Sequence, residues 1–117
     1  MLRIMVVDRE RDICELFEKI LKSLGHSVKV QESLIKNLGD EEYDLMICDL
    51  ESIKQNIKKV FDASHRMKLC LSSVWKESNL LPDLGFEYDY YLRKPFTIDS
   101  IRKILDSVLY LSPSPSF

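Results

Sequence analysis

Residues 43–49 read YDLMICD, a short apolar run without alternation that stops on an aspartate. Side chains that are apolar at successive positions suit a strand buried on both faces of a parallel sheet. The N-terminus repeats the pattern, since residues 2–7 read LRIMVV and stop on Asp8. Three more short runs, Val28–Val30, Lys68–Leu71 (KLCL) and Tyr88–Leu92, bring the expected strands to five.

Helical periodicity fills the gaps. Ile13, Leu16, Phe17, Ile20, Leu21 and Leu24 recur at steps of three and four, and Gly25 directly after them supplies a stop signal. Ser33–Leu38 reads as a short second helix. Ile53, Ile57, Val60 and Phe61 mark a third, with Ser52 as a possible N-cap. Trp75–Leu84 gives a weaker fourth helix, interrupted by Pro82. Thr97 is placed to cap a last helix whose buried stripe is Ile98, Ile101, Ile104, Leu105 and Val108. Strands alternating with helices imply right-handed crossovers and a five-stranded parallel sheet, doubly wound in an α/β fold. One domain is expected over residues 1–111, with a proline-broken, disordered tail at 112–117.

Composition narrows the function classes. The 117 residues are 45% hydrophobic and 31% charged, as in an ordinary globular domain. A formal charge of −2 provides no global attraction for nucleic acid or anionic lipid. No stretch approaches the roughly 20 apolar residues that span a bilayer, and the N-terminus lacks a signal-peptide pattern. Cys14, Cys48 and Cys70 lie in separate apolar segments without metal-ligand spacing. Free core thiols in a cytoplasmic protein are the plain reading. His26 and His65 have no matching ligands, and Lys54, Lys58 and Lys59 read as a solvated helix face.

In an open parallel sheet, functional groups gather beyond the carboxyl ends of the strands. Asp8, Asp49 and Ser72 follow or end the first, third and fourth strands, and Lys94 follows the fifth. Two carboxylates, a hydroxyl and an ammonium are thus expected to converge. Carboxylates can hold magnesium, which prefers oxygen ligands, and one can act as a nucleophile toward a phosphoryl group. The lysine and hydroxyl suit the transferred oxygens. Each aspartate, taken singly, is equally well explained as a helix cap at a strand end.

The blocks IMVVDRE, DLMICD, LCLSS and YLRKPF resemble, in order and approximate spacing, those of response-regulator receiver domains. The resemblance covers nearly the whole chain before the tail. It implies the flavodoxin-like, CheY-like fold, with Asp49 as phosphoacceptor and Asp8 as an acidic-pocket residue. It also implies Ser72 as the switch hydroxyl, Tyr91 as the switch aromatic, Lys94 as the phosphate contact and a cis Lys94-Pro95 bond. Magnesium would be held by Asp8, Asp49 and the backbone carbonyl of Glu51. The implied partners are a histidine kinase or phosphotransfer protein and an unidentified downstream protein, with no nucleic acid or membrane. Tyr88, Tyr90 and Trp75 extend an aromatic face beside the fourth helix and fifth strand, explained as readily by sheet packing.

Two departures matter. Receivers place two acids in succession after the first strand, and here the second is Arg9. A unit charge pair at 4 Å is worth roughly 4 kcal/mol at an effective dielectric of 20, so this exchange weakens magnesium binding even when heavily discounted. Glu10 and Glu51 are the acids near enough to compensate. The second departure follows Asp49, where Leu50-Glu51-Ser52-Ile53 replaces the usual methionine-proline step. The stretch from Asp49 to Ser72 is also shorter than usual, and that from Gly85 to Lys94 slightly longer. Two readings stand: a receiver phosphorylated on Asp49, and a phosphorylation-independent pseudo-receiver in which Arg9 pairs with Asp8 or Asp49. Neither is an enzyme on an outside substrate. A small phosphatase or nucleotide-binding enzyme is disfavoured, because no glycine-rich phosphate loop or cysteine-arginine loop follows the first strand.

Overall fold

The computed structural model describes residues 1–33, 42–53, 56–64, 66–73 and 88–111. The elements run β1 (Arg3–Val7), α1 (Arg11–Ser23), β2 (Ser27–Gln31), β3 (Leu45–Asp49), α2 (Leu50–Ile53), α3 (Ile57–Ser64), β4 (Lys68–Ser73), β5 (Tyr90–Arg93) and α4 (Ile98–Asp106), with a π-helical turn at Ser107–Leu111. The five strands form one sheet in the order β2-β1-β3-β4-β5, and every neighbouring pair is parallel. The helices expected at 33–38 and 75–84, and the tail from Ser112, fall wholly or almost wholly outside the described residues.

The unalternating strands are explained by their two covered faces. Met5, Val7, Met46, Cys48, Leu69 and Leu71 pack with Leu50, Ile53 and Val60. Ile4, Val6, Leu45, Ile47 and Cys70 point the other way, onto Phe17, Leu21, Ile101 and Leu105. Successive side chains of a strand alternate faces, so both sets must be apolar. All three cysteines are free and buried in this core. Among the described residues, no helix is long and apolar enough to cross a membrane.

Several boundaries shift for local reasons. The third and fifth strands begin later than their apolar runs, because an aspartate pins the neighbouring strand at each start. Asp44 accepts the Arg3 N–H on Oδ2 and donates its own N–H to the Arg3 carbonyl, both at 2.8 Å. Asp89 does the same with Leu69, again at 2.8 Å in each direction. The fourth strand continues through Ser72 and Ser73, paired beside Leu92 and Arg93 of β5. The third helix arrives as two pieces, with α2 starting directly after β3. Ser52 therefore lies inside α2 instead of capping a later helix, and Asp49 takes the capping role by accepting the Ser52 N–H at 3.1 Å. Leu16 and Ile98, expected in buried stripes, are 43% and 50% exposed. The buried line of α1 is instead Cys14, Phe17 and Leu21, and Ile98 occupies the first turn of α4, ahead of buried Ile101. Thr97 caps α4 as expected, accepting the Ser100 N–H at 3.1 Å.

Helix α1 ends at Gly25, whose φ of +92° suits a residue without a Cβ. The Gly25 N–H bonds to the Lys22 carbonyl and the His26 N–H to the Leu21 carbonyl, each at 3.0 Å, which is a Schellman stop. The chain then places the Nδ1 of His26 to accept the Leu2 N–H at 3.0 Å. That bond requires a neutral ring. Burial, followed by the nearby N-terminal charge, lowers the His26 pKa below its ordinary 6.5. A proton therefore binds the unfolded chain first, and the stability this bond contributes is lost as pH falls below about 6.5. Denaturant midpoints measured from pH 7.5 to 5 should show the parent losing about 1 kcal/mol more than His26→Asn; parallel curves would discard this role.

Candidate functional site

Strand order reverses between β1 and β3, the place where open α/β sheets put their ligand crevice. Asp8 lies one residue beyond β1, and Asp49 is the last residue of β3. Both are buried, as is Lys94 just beyond β5. The Lys94 N–H donates to the Ser73 carbonyl at 2.8 Å, which fixes the lysine's backbone to the end of β4. Its ammonium bridges the two acids, with Nζ 2.7 Å from Asp8 Oδ2 and 3.0 Å from Asp49 Oδ1. The Lys94-Pro95 bond is cis. Phe96 next to it stacks on buried Phe17 of α1, ring centroids 4.5 Å apart.

The remaining carboxylate oxygens are held by the chain itself. Asp8 Oδ1 accepts the Glu10 N–H at 2.9 Å. Asp49 Oδ2 accepts both the N–H and the hydroxyl of Ser52, at 3.1 and 2.8 Å. The Ser52 oxygen in turn accepts the Arg9 N–H at 2.7 Å. One hydroxyl thus ties the loop after β1 to the acid at the end of β3. Each aspartate caps a turn with one carboxylate oxygen and meets Lys94 with the other.

Burial pushes the Asp8 carboxyl above its ordinary 3.8, and the Lys94 ammonium only partly opposes this. Burial also works against the Lys94 charge, but its hydrogen bonds to Asp8 and Asp49 win and raise it above 10.5. Two acids competing for one cation make both directions physically consistent. Ser72 lies beside Asp49 in the β3–β4 register. Its buried hydroxyl has no hydrogen-bond partner among the described residues. Buried polar groups are nearly always satisfied, so this hydroxyl has donor capacity free for an oxygen that enters the crevice. Tyr91 is half-buried and packs against the core on the β5 side.

Arg9 and Glu10 are exposed. Among the described residues the Arg9 guanidinium forms an ion pair with neither acid, since both pair with Lys94. The Arg9 pairing of the pseudo-receiver reading is absent among the described residues, and Lys94, expected in the pocket, meets both acids. Glu51 lies inside α2, where a helical carbonyl runs toward the C-terminal end of the helix, away from its Asp49 end. Magnesium demands about six oxygens in octahedral geometry. Here two carboxylates already accept bonds on all four oxygens. No group of three or more His, Cys, Asp or Glu able to hold a metal exists among the described residues. Two carboxylates that share one ammonium, with an arginine in place of the third acid, are a poor donor set for a resident magnesium ion. Ser52 is the site residue that sequence reading missed as such. Its signal was the Asp-x-x-Ser spacing after a strand, a capping pattern that also delivers a hydroxyl to the acid.

No family model matches the chain, and no curated protein is similar in sequence. Solved structures are similar in fold. A two-component response regulator from Clostridium difficile superposes with a TM-score of 0.83 at 18% identity, covering 97% of this chain and all of the other. The response regulator TrrA from Thermotoga maritima, in complex with Mg2+–BeF, gives a TM-score of 0.77 at 24% identity, covering 92% and 99%. A CheY-like receiver domain from Methylobacillus flagellatus gives 0.75 at 24% identity, covering 92% and 98%. The chain has the CheY-like receiver fold.

Removing the bridging cation should leave two buried acids unpaired. Lys94→Met is expected to cost about 3 kcal/mol at pH 7, read by chemical denaturation. The loss should shrink toward pH 5 as an acid takes up a proton. An unchanged midpoint at both pH values would mean that the bridge contributes nothing.

Proposed function

We propose that this chain is a receiver module of a two-component phosphorelay, with Asp49 as its phosphoacceptor. The observation that carries the reading is the Lys94 ammonium held 3.0 Å from Asp49, beside the orphaned Ser72 hydroxyl, in the crevice of a receiver fold. An Asp49 oxygen attacks the phosphorus of a phosphohistidine on a kinase or phosphotransfer protein. The phosphorus–nitrogen bond breaks, its electron pair stays on the imidazole, and an acyl phosphate forms on Asp49. The new group adds negative charge, which Lys94 offsets while Ser72 donates to a phosphoryl oxygen. Movement of Ser72 and Tyr91 then changes the β4–β5 surface read by a downstream protein. The protein works in the cytoplasm, without nucleic acid or membrane. Its own chemistry is limited to gaining and losing phosphate on Asp49.

A second reading, a phosphorylation-independent interaction module, is favoured by one observation. Every Asp49 and Asp8 oxygen is already engaged by the chain, as in a pocket set in one state. The two readings part on intact mass. Incubation with phosphoramidate should add one phosphate-sized increment to the parent and none to Asp49→Asn. An unmodified parent, with and without magnesium, would leave the interaction module standing.

A further inference from the structure

In a receiver with three pocket acids and one lysine, a divalent cation makes up a deficit of two positive charges. This pocket holds two buried acids, Asp8 and Asp49, with the Lys94 ammonium between them, and Arg9 follows Asp8 directly in sequence where a receiver has its third acid. The buried groups sum to −1, and the guanidinium at position 9 supplies the remaining positive charge at the place of the missing acid. Lys94 lies between the acids, and the backbone of Arg9 is anchored at the mouth by the Ser52 hydroxyl at 2.7 Å. The Arg9 side chain is exposed and follows Asp8 directly in sequence. A guanidinium keeps its charge at any working pH and offers a planar fork of donors suited to phosphate oxygens.

We infer that Arg9 takes the place of the divalent cation, so that the pocket neither binds nor needs magnesium and engages its phosphoryl group through Arg9 and Lys94. The carboxylate oxygens support the inference independently of charge. All four accept hydrogen bonds within the chain, two from the Lys94 ammonium and the others from Ser52 at the start of α2 and from the Glu10 N–H. The inference deepens the receiver reading, but it is tested on metal binding alone.

Magnesium chloride is titrated into the unmodified parent, Arg9→Asp and Arg9→Gln, and backbone amide NMR shifts are followed at residues 8–10, 49–52 and 94. Retained spectra establish that each variant is folded. The expected result is no saturable shift in the parent and magnesium binding in Arg9→Asp at least about tenfold tighter, with Arg9→Gln between them. Saturable parent binding equal to that of Arg9→Asp overturns the inference, and so does an Arg9→Asp variant that gains nothing. In a second arm, phosphoramidate labelling of the parent should be unchanged by EDTA, and that of Arg9→Asp should become magnesium-dependent. Labelling of the parent abolished by EDTA also overturns it. A parent that binds no magnesium and takes no label under either condition removes the receiver reading and the phosphoryl contact of Arg9 with it, and leaves standing only the replacement of magnesium, provided Arg9→Asp gains binding.

Discussion

A single ammonium between two buried carboxylates sets the terms for the rest of this molecule. Asp8 and Asp49 are 1% and 5% exposed, and such charges are costly to bury unless a cation and further donors meet them. Lys94 supplies the cation from 86 residues beyond Asp8, so the bridge forms only when β1, β3 and β5 end at the same level. Parallel strands require the chain to return to the same end of the sheet before each new strand begins. The parallel topology, the anchoring of Lys94 to Ser73 and the stacking of Phe96 on Phe17 all serve that alignment.

Around this bridge the chain supplies its own partners. Arg9 brings positive charge to a position normally acidic. Ser52 fills the outer oxygen of Asp49 and joins it to the loop after β1. The result is a heavily hydrogen-bonded pocket in which, among the described residues, the Ser72 hydroxyl lacks a partner. Low dielectric makes such networks strong when complete and costly when one member lacks a partner. Ser72 is therefore where an added oxygen would be best rewarded. Likeness of fold at 24% identity or less says nothing about these substitutions, because they lie in side chains and not in topology.

Much of the fold was legible because its signals are physical necessities. A strand covered on both faces must be apolar at every position, and Leu45–Cys48 and Ile4–Val7 declare themselves that way. Asp8, Asp49, Ser72 and Lys94 were legible because strand ends converge once the sheet is parallel. Starts were less legible than ends: Asp44 and Asp89 look like strand residues until their carboxylates turn to the neighbouring strand. The division of the third helix was hidden because Asp49 is at once a strand end, a pocket acid and a helix cap. The partners of Arg9 could not be read either, since adjacency in sequence to Asp8 does not decide which cation reaches the acid. Lys94, preset by the end of β5, takes that place.

Beryllofluoride, a tetrahedral mimic of a carboxylate-bound phosphoryl group, tests most directly whether this crevice is a phosphoacceptor site. Fluorine NMR of the protein with the mimic should show bound resonances in the parent that vanish in Asp49→Asn and weaken in Lys94→Met. The Ser72 amide should shift at the same time. A parent spectrum with free fluoride species alone, or bound resonances that survive in Asp49→Asn, would contradict a phosphoacceptor role for the pocket.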